Sequence, residues 1–358
     1  ASLMRSRQDF PDAQRKSLGS VLRQQYADIE LTAREDLNLA ALESDAFTVT
    51  TGQQLVLAGG PMYVVYKALH CISLANALSE RFPDKKVVPI FWMATEDHDF
   101  EEIRSFHLFG HRIQVEGNGA TAVGRMRVPE NASWLNEVEQ IIGIGDTQSN
   151  VLSVLRKAYA QGRNWTQATR ILLHHLFGEH GLICLDADVQ EWKAHASDLF
   201  RAELETGAAA KALQERSVEL DKHYKVQAFP RDLNLFYLTD ASRSRIMREG
   251  NDFRLDGQDQ LIPRNELLDQ LESHPERFSP NVLLRPLYQE ILLPNLAYIG
   301  GGAEVAYWMQ LGKAFNTFKL AMPVLLLRNS VQLINEAVSY THLTLPTILL
   351  VSISVVAV

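Results

Sequence analysis

Three short segments carry side chains whose types and spacing suit chemistry. In Thr95-Glu96-Asp97-His98-Asp99-Phe100-Glu101-Glu102, three carboxylates flank an imidazole within four residues. Such a set can orient an amine nucleophile, take its proton, or hold a hydrated magnesium ion through oxygen ligands. A closed zinc site would need further His or Cys, which this spacing does not supply. A solvated acidic loop is the plainer reading, but such loops rarely follow a run as apolar as Val87-Val88-Pro89-Ile90-Phe91-Trp92-Met93-Ala94.

The second segment is Thr50-Thr51-Gly52-Gln53-Gln54, then Ala58-Gly59-Gly60-Pro61, with Lys67 about two turns into the helix that follows. Glycines let backbone approach a ligand, Pro61 suits a first helical position, and unpaired N–H groups at a helix start favour an anion such as a nucleotide phosphate. The spacing matches neither GxGxxG nor GxxxxGK[ST], so a tight turn into a packed helix competes with that reading. The third segment runs from Ser279-Pro280-Asn281-Val282-Leu283-Leu284-Arg285-Pro286 to Ala297-Tyr298-Ile299-Gly300-Gly301-Gly302-Ala303-Glu304, with Tyr307-Trp308 beyond. Glu304 could recognise an ammonium group or complement the helix dipole. Arg285, set among apolar residues and prolines, suits bidentate binding of carboxylate or phosphate, or else a buried ion pair.

Asp186 and Asp188 follow another apolar run and are placed to edge a pocket, and Arg328 and Ser330 could meet a phosphate from the far side. Cys71, in a run of Leu, Ile and Ala, reads as inert core. His174, His175 and His180 read as surface or packing residues.

These corners need a scaffold. Phe47-Thr48-Val49-Thr50 is a short β-branched strand, the residues after Pro61 form a long apolar helix, and 87–94 is a continuous apolar run of the kind buried in a parallel sheet. Strand, helix and strand make a βαβ unit. Residues 181–186 and 322–327 add two strands after helix-like 166–177 and 303–318, so the fold class is α/β with a doubly wound sheet. In such a sheet ligands bind beyond the carboxyl ends of the strands, where all three segments lie. Two stretches break the rhythm and read as β-rich insertions: 112–128, with a turn at Gly117-Asn118-Gly119, and 234–262, with turns at Glu249-Gly250-Asn251 and Asp256-Gly257. Residues 189–223 read as one long charged helix. The expected division is 1–45 helical, 46–111 first part of the core, 112–130 insertion, 131–233 core and long helix, 234–274 second insertion, 275–338 last part of the core, and 339–358 a non-native tail.

A formal charge of −8 over 358 residues leaves no basic excess for a broad nucleic-acid or anionic-membrane surface. Two cysteines, far apart and each in an apolar run, argue against a disulfide framework and suit a reducing cytoplasm. The polar, helix-like start is unlike a secretory leader. The terminal apolar run of about a dozen residues falls short of the roughly 20 needed to cross a bilayer.

Taken together, residues 50–67, 88–103, 181–186 and 279–310 resemble the bacillithiol-biosynthesis cysteine-adding enzyme family, and the likeness extends over most of 45–335. The resemblance implies a Rossmann-like core similar to class I aminoacyl-tRNA synthetases, two connecting-peptide insertions, and a C-terminal coiled coil supporting a homodimer, absent here. It further implies a cytoplasmic ligase that adds L-cysteine to glucosaminyl-malate, with ATP, accompanied by Mg2+, activating the cysteine carboxylate. No tightly bound metal, nucleic acid or membrane partner is implied. On this basis Thr51, Gly52, Gln53, Gln54, Gly59, Gly60 and Lys67 would hold the nucleotide. Asp97, His98 and Asp99 would orient or deprotonate the acceptor amine, and Arg285, Gly301, Gly302, Glu304 and Tyr307 would bind substrate. The chain departs from the family pattern at Gly300-Gly301-Gly302-Ala303 and at Leu327, where relatives often have proline; no charged group is lost. The residues themselves leave open a non-catalytic nucleotide- or metabolite-binding protein, or a nucleotidyltransferase with another acceptor.

Overall fold

The computed structural model describes residues 2–117, 119–332 and 334. The chain falls into two compact units, Ala1–Arg328 and Asn329–Val358, and every helix and strand described lies in the first. The 339–358 segment and Asn118 lie outside the described residues.

The strands in chain order are β1 Phe47–Gln53, β2 Val87–Met93, β3 Ser105–Leu108, β4 His111–Gln114, β5 Ile183–Asp186, β6 Leu235–Leu238, β7 Arg243–Glu249, β8 Asp252–Leu255, β9 Leu261–Ile262, β10 Phe278–Pro280, β11 Asn295–Gly300 and β12 Val324–Leu327. β12, β11, β1, β2 and β5 form one parallel sheet in that order. β2 is buried along its whole length, as its uninterrupted apolar sequence requires of a central strand with neighbours on both edges. The helix Met62–Arg81 links β1 to β2 and buries Val64, Ala68, Cys71, Ile72 and Ala75 against them, one side chain every three or four residues.

Polar contacts sew β1 to its neighbour. Thr51 Oγ1 donates to the Ile299 carbonyl at 2.8 Å, and Thr50 Oγ1 bonds Asn295 Oδ1 at 2.9 Å, both fully buried. Gly52 leaves no room for a side chain between β1 and β2, because a Cβ there would stand 2.8 Å from the Trp92 carbonyl oxygen. Gly52→Ala should therefore destabilise the protein by about 1–3 kcal/mol, the range for overpacking a tight site. Chemical denaturation would measure the loss, and an unchanged midpoint would contradict the contact.

A second, antiparallel sheet has the order β10-β6-β7-β8-β9, and β3 and β4 form a separate hairpin. The turns at Gly250 and Gly257 fall between strands as expected, both with φ in the left-handed region. Other expectations need correction. The first β-rich stretch starts at Ser105 rather than 112, turning at Phe109-Gly110, and the described residues of 115–128 carry a short 3-10 turn and an isolated bridge from Arg127 to Asn164. Phe278–Pro280 pairs with β6 and so belongs to the antiparallel sheet, not to the parallel core. The single helix expected over 189–223 is three, Gln190–His195, Ser197–Thr206 and Ala208–Asp221, broken at Ala196 and at Gly207, whose left-handed φ of 62° ends one helix and begins another. Likewise 303–318 divides into Gly302–Trp308 and Gly312–Thr317.

The N-terminal helices Asp12–Gln25 and Ala33–Leu42 pack on the core, the second held by a Thr32/Glu35 capping box. Arg7, ahead of them, forms a buried ion pair with Glu290.

Candidate functional site

Taking the parallel strands in chain order as first to fifth, their spatial order is fifth, fourth, first, second, third. The order reverses between β1 and β11, which marks a topological switch point, and the crevice beyond their carboxyl ends is where such sheets bind ligands. A cavity of about 600 Å³ opens there. Its floor is Gly52, Gln53 and Gln54 after β1, with Ala94 to Asp97 after β2 and Gly301, Gly302 and Glu304 after β11. Arg285, the first residue of the helix Arg285–Leu292, and Tyr307 close one side; Phe236, Arg243 and Asn281 come from or beside the antiparallel sheet.

The three segments thus meet. Gln54 Nε2 donates to Asp97 Oδ2 at 2.8 Å and to Glu102 Oε2 at 2.5 Å, tying the first corner to the acidic one. Lys67 ties it to the third. Fully buried, its ammonium donates to the Gly52 carbonyl, to Gln53 Oε1 at 3.2 Å and to Glu304 Oε2 at 2.7 Å. That ammonium is occupied beneath the floor, so Lys67 is not placed to grip a phosphate directly. Glu304 also accepts from the Gly301 N–H and the Tyr298 hydroxyl, both at 2.7 Å. Burial works against the Glu304 carboxylate, but Lys67, Gly301 and Tyr298 outweigh it and hold its pKa below the usual range.

A depressed carboxylate contributes stability that is present above the unfolded pKa, about 4.3 for Glu, and lost as the pH falls through the folded value. Glu304→Gln should therefore be less stable than the parent protein at pH 7, and the gap should narrow below about pH 4. Urea midpoints at the two pH values give the comparison; a gap that does not change with pH would exclude the ion pair as its source.

Five other expected positions lie outside the cavity lining. Thr51 faces β11, as described above. Gly59 and Gly60 form a turn whose N–H groups donate to the Val56 and Leu57 carbonyls, while the Ala58 N–H is taken by the Tyr159 hydroxyl, leaving no donors to cradle a phosphate. Asp99 caps the short helix Phe100–Ile103, and only Asp97 of the trio Asp97, His98 and Asp99 lines the cavity. His98 turns its Nδ1 to Arg243 Nη1 at 3.1 Å. Burial and the Arg243 charge lower its pKa.

Arg285 and Arg243 share an unusual property: neither has a carboxylate within 4.0 Å among the described residues. Arg285 donates to Gln289 Oε1 at 2.9 Å and to the Tyr307 hydroxyl at 3.3 Å, with the rings of Trp92 and Tyr298 each 5.7 Å from its Cζ. Burial opposes its charge, but Tyr307, Tyr298 and Glu304 raise its pKa overall. Arg328 also lines the cavity, its guanidinium 5.2 Å from the Tyr63 ring centre.

Behind the acidic corner lies a charged cluster in which Asp188 takes part rather than edging the cavity. Lys193, with no exposure to solvent, places its ammonium 2.6 Å from Glu96 Oε1 and 2.8 Å from Asp188 Oδ1, and donates to the Glu276 carbonyl. Arg125 grips both Asp188 oxygens, at 2.6 and 2.8 Å. Burial alone would raise the Asp188 pKa; Lys193 and Arg125 draw it down to about 2. Glu96 sits at the cavity wall with a pKa that burial raises despite Lys193. Among the described residues no three His, Cys, Asp or Glu side chains converge as a metal-ion site, and no helix is long and apolar enough to cross a membrane.

Residues 2–329 match the family described as "Bacillithiol biosynthesis BshC, N-terminal Rossmann-like domain". The chain is 39% identical over 330 residues to a protein of Flavobacterium johnsoniae named "Putative cysteine ligase BshC", covering 92% of this chain and 62% of that one. Proteins of the same name from Christiangramia forsetii (39% over 343 residues, 93% and 63% covered) and Chlorobaculum tepidum (33% over 344 residues, 91% and 60% covered) are also similar. The chain spans about three-fifths of the length of these curated relatives.

Proposed function

The chain belongs to the BshC family of bacillithiol biosynthesis, and we propose that its cavity joins L-cysteine to glucosaminyl-malate, forming the amide of bacillithiol. The observation that carries this reading is the presence of both charges in one cavity. Arg285, whose hydrogen-bond partners Gln289 and Tyr307 are not carboxylates, lines it together with the carboxylates of Asp97 and Glu96. A malate ester or ether is a dicarboxylate and glucosamine carries an amine, so an acceptor with anionic and cationic ends meets groups of opposite charge to both.

Arg285 binds a malate carboxylate, its planar fork suited to two parallel hydrogen bonds. Asp97, fixed by Gln54, accepts a hydrogen bond from the acceptor amine and holds its lone pair toward the cysteine carbonyl carbon. The new C–N bond forms as the carboxyl oxygen leaves, and the surplus amine proton passes to a carboxylate or to water. Free carboxylates do not undergo this exchange at neutral pH. ATP, entering with Mg2+, supplies the group that makes the carboxyl oxygen a leaving group. The cavity fits such a ligand at Gly52, Gln53 and Gln54 and at Gly302, where no atom lies within 4 Å of the place a Cβ would take. It does not fit at Gly59-Gly60, whose donors are spent within the turn.

Incubation of the protein with ATP, cysteine and glucosaminyl-malate, followed by mass spectrometry, should reveal bacillithiol. No product with any nucleoside triphosphate would sink the proposal. Detection of AMP with pyrophosphate, rather than ADP with phosphate, identifies which bond of ATP is broken.

A further inference from the structure

Arg243 plays no part in that account, yet it is the more firmly held of the two cavity arginines that lack a carboxylate. It begins β7, in the antiparallel sheet, and reaches over the carboxyl end of the parallel one. Its guanidinium carbon lies 3.8 Å from the centre of the Phe236 ring. Nε donates to Ser279 Oγ at 3.2 Å, Nη2 to the Pro280 carbonyl at 3.1 Å, and Nη1 to His98 Nδ1 at 3.1 Å. A guanidinium has five N–H groups, so these three contacts leave two for a ligand. All three partners are uncharged. Burial lowers the Arg243 pKa, outweighing Glu96, Asp97 and Asp188, which favour the cation through space. A cation whose hydrogen-bond partners are all neutral is unfavourable for folding, and a bound anion relieves that cost.

The same contact defines the state of His98. Arginine stays protonated, so Nη1 is the donor and Nδ1 must offer its lone pair, which leaves the ring proton on Nε2. A proton on Nδ1 would face the guanidinium and break the contact. The neighbouring Asp97 carboxylate stands 3.7 Å from Nδ1, too far to replace it as a hydrogen-bond partner.

We propose that Arg243 is a second anion-binding residue of the cavity, and that His98 is a positioning residue which aims it by accepting a hydrogen bond at Nδ1. The chemical class of ligand is a carboxylate or phosphate. The identity of that anion as the second malate carboxylate rests on the ligase reading; the anion site does not. In this role His98 keeps its Nε2 proton and transfers none during turnover, and its effect passes through the affinity for the anionic substrate.

Calorimetric titration with glucosaminyl-malate, L-malate and inorganic phosphate tests both parts. Arg243→Met should weaken whichever of these the parent protein binds by roughly 10- to 100-fold, the worth of hydrogen bonds to a charged group, with thermal unfolding unchanged or raised. His98→Ala should weaken binding several-fold. His98→Asn should restore it, because Asn Oδ1 occupies the branch of Nδ1, and His98→Gln, whose oxygen reaches toward Nε2 instead, should not. In turnover the His98→Ala defect should appear in KM, with kcat held. Equal affinity of Arg243→Met and the parent for all three anions, or a parent that binds none of them, would overturn the anion site. Rescue by Gln and not Asn, or a fall in kcat at unchanged KM, would overturn the role of His98. Phosphate binding that depends on Arg243, without binding of either malate compound, would uphold the site and count against the ligase reading.

Discussion

On the proposed ligase reading, Arg285→Met should raise the KM for glucosaminyl-malate by about 100-fold while changing folding stability little. A bidentate pair with a carboxylate is worth the upper part of the range for charged hydrogen bonds, and a buried cavity does not screen it. The effect on folding is small because opposing influences act on the charge. Burial and a place as the first residue of its helix disfavour the cation, whereas Tyr307, Tyr298 and Glu304 favour it. Methionine keeps the length and the contact with Trp92 and Tyr298 without the charge. Steady-state kinetics and thermal unfolding on the same preparation decide the matter. A variant that loses activity and stability together would mark Arg285 as a structural residue, and the substrate assignment would fall.

Lys193→Met is expected to act in the reverse way, as a loss of about 3–5 kcal/mol of folding stability. Its ammonium has three donors and three acceptors, Glu96, Asp188 and the Glu276 carbonyl, at a position closed to solvent. Removal leaves two buried carboxylates with Arg125 as the remaining cation, and Arg125 contacts only Asp188 of the two. The Glu96 pKa, already raised by burial, would then rise further. Urea denaturation at neutral pH measures the change. The double variant Lys193→Met with Glu96→Gln should recover part of the loss, since it removes one stranded charge; no recovery would show that the two residues are not coupled.

Four of the five strands of the parallel sheet were legible in the sequence because each is a local signal. A run such as 87–94, ended by Thr95 and Glu96, can be read without knowing what it packs against. The strand ends were legible for the same reason, and they supply Gly52 to Gln54, Asp97 and Glu304 to one cavity, while Arg285 reaches it from the start of a helix. What could not be read were contacts between segments far apart in the chain. Arg243 looks like one of several charged residues in an alternating strand, and only the pairing of β7 with β6 and the approach of Pro280 and His98 distinguish it. Lys193 lies in a charged helical stretch where burial has no local mark. Gly59-Gly60 misled in the other direction. The residues resemble a phosphate loop, but the turn is tight enough to satisfy its own donors, a property set by φ angles of 88° and 78° rather than by composition.

The two arginines without carboxylate partners have a consequence at long range. The chain as a whole carries a formal charge of −8. The Lys67–Glu304 contact is locally neutral, so Arg285 and Arg243, with Arg328, stand out as positive charge in a recess of a chain whose net charge is negative. An anionic substrate is repelled by the distant field and attracted only within the mouth of the cleft. Added salt shortens the reach of the field to about 8–10 Å at ordinary ionic strength, weakening the distant repulsion more than the contact attraction. Moderate salt thus quickens the encounter that it slows for a protein whose entire surface draws its ligand, and the cleft selects among anions by depth of entry rather than by capture from afar.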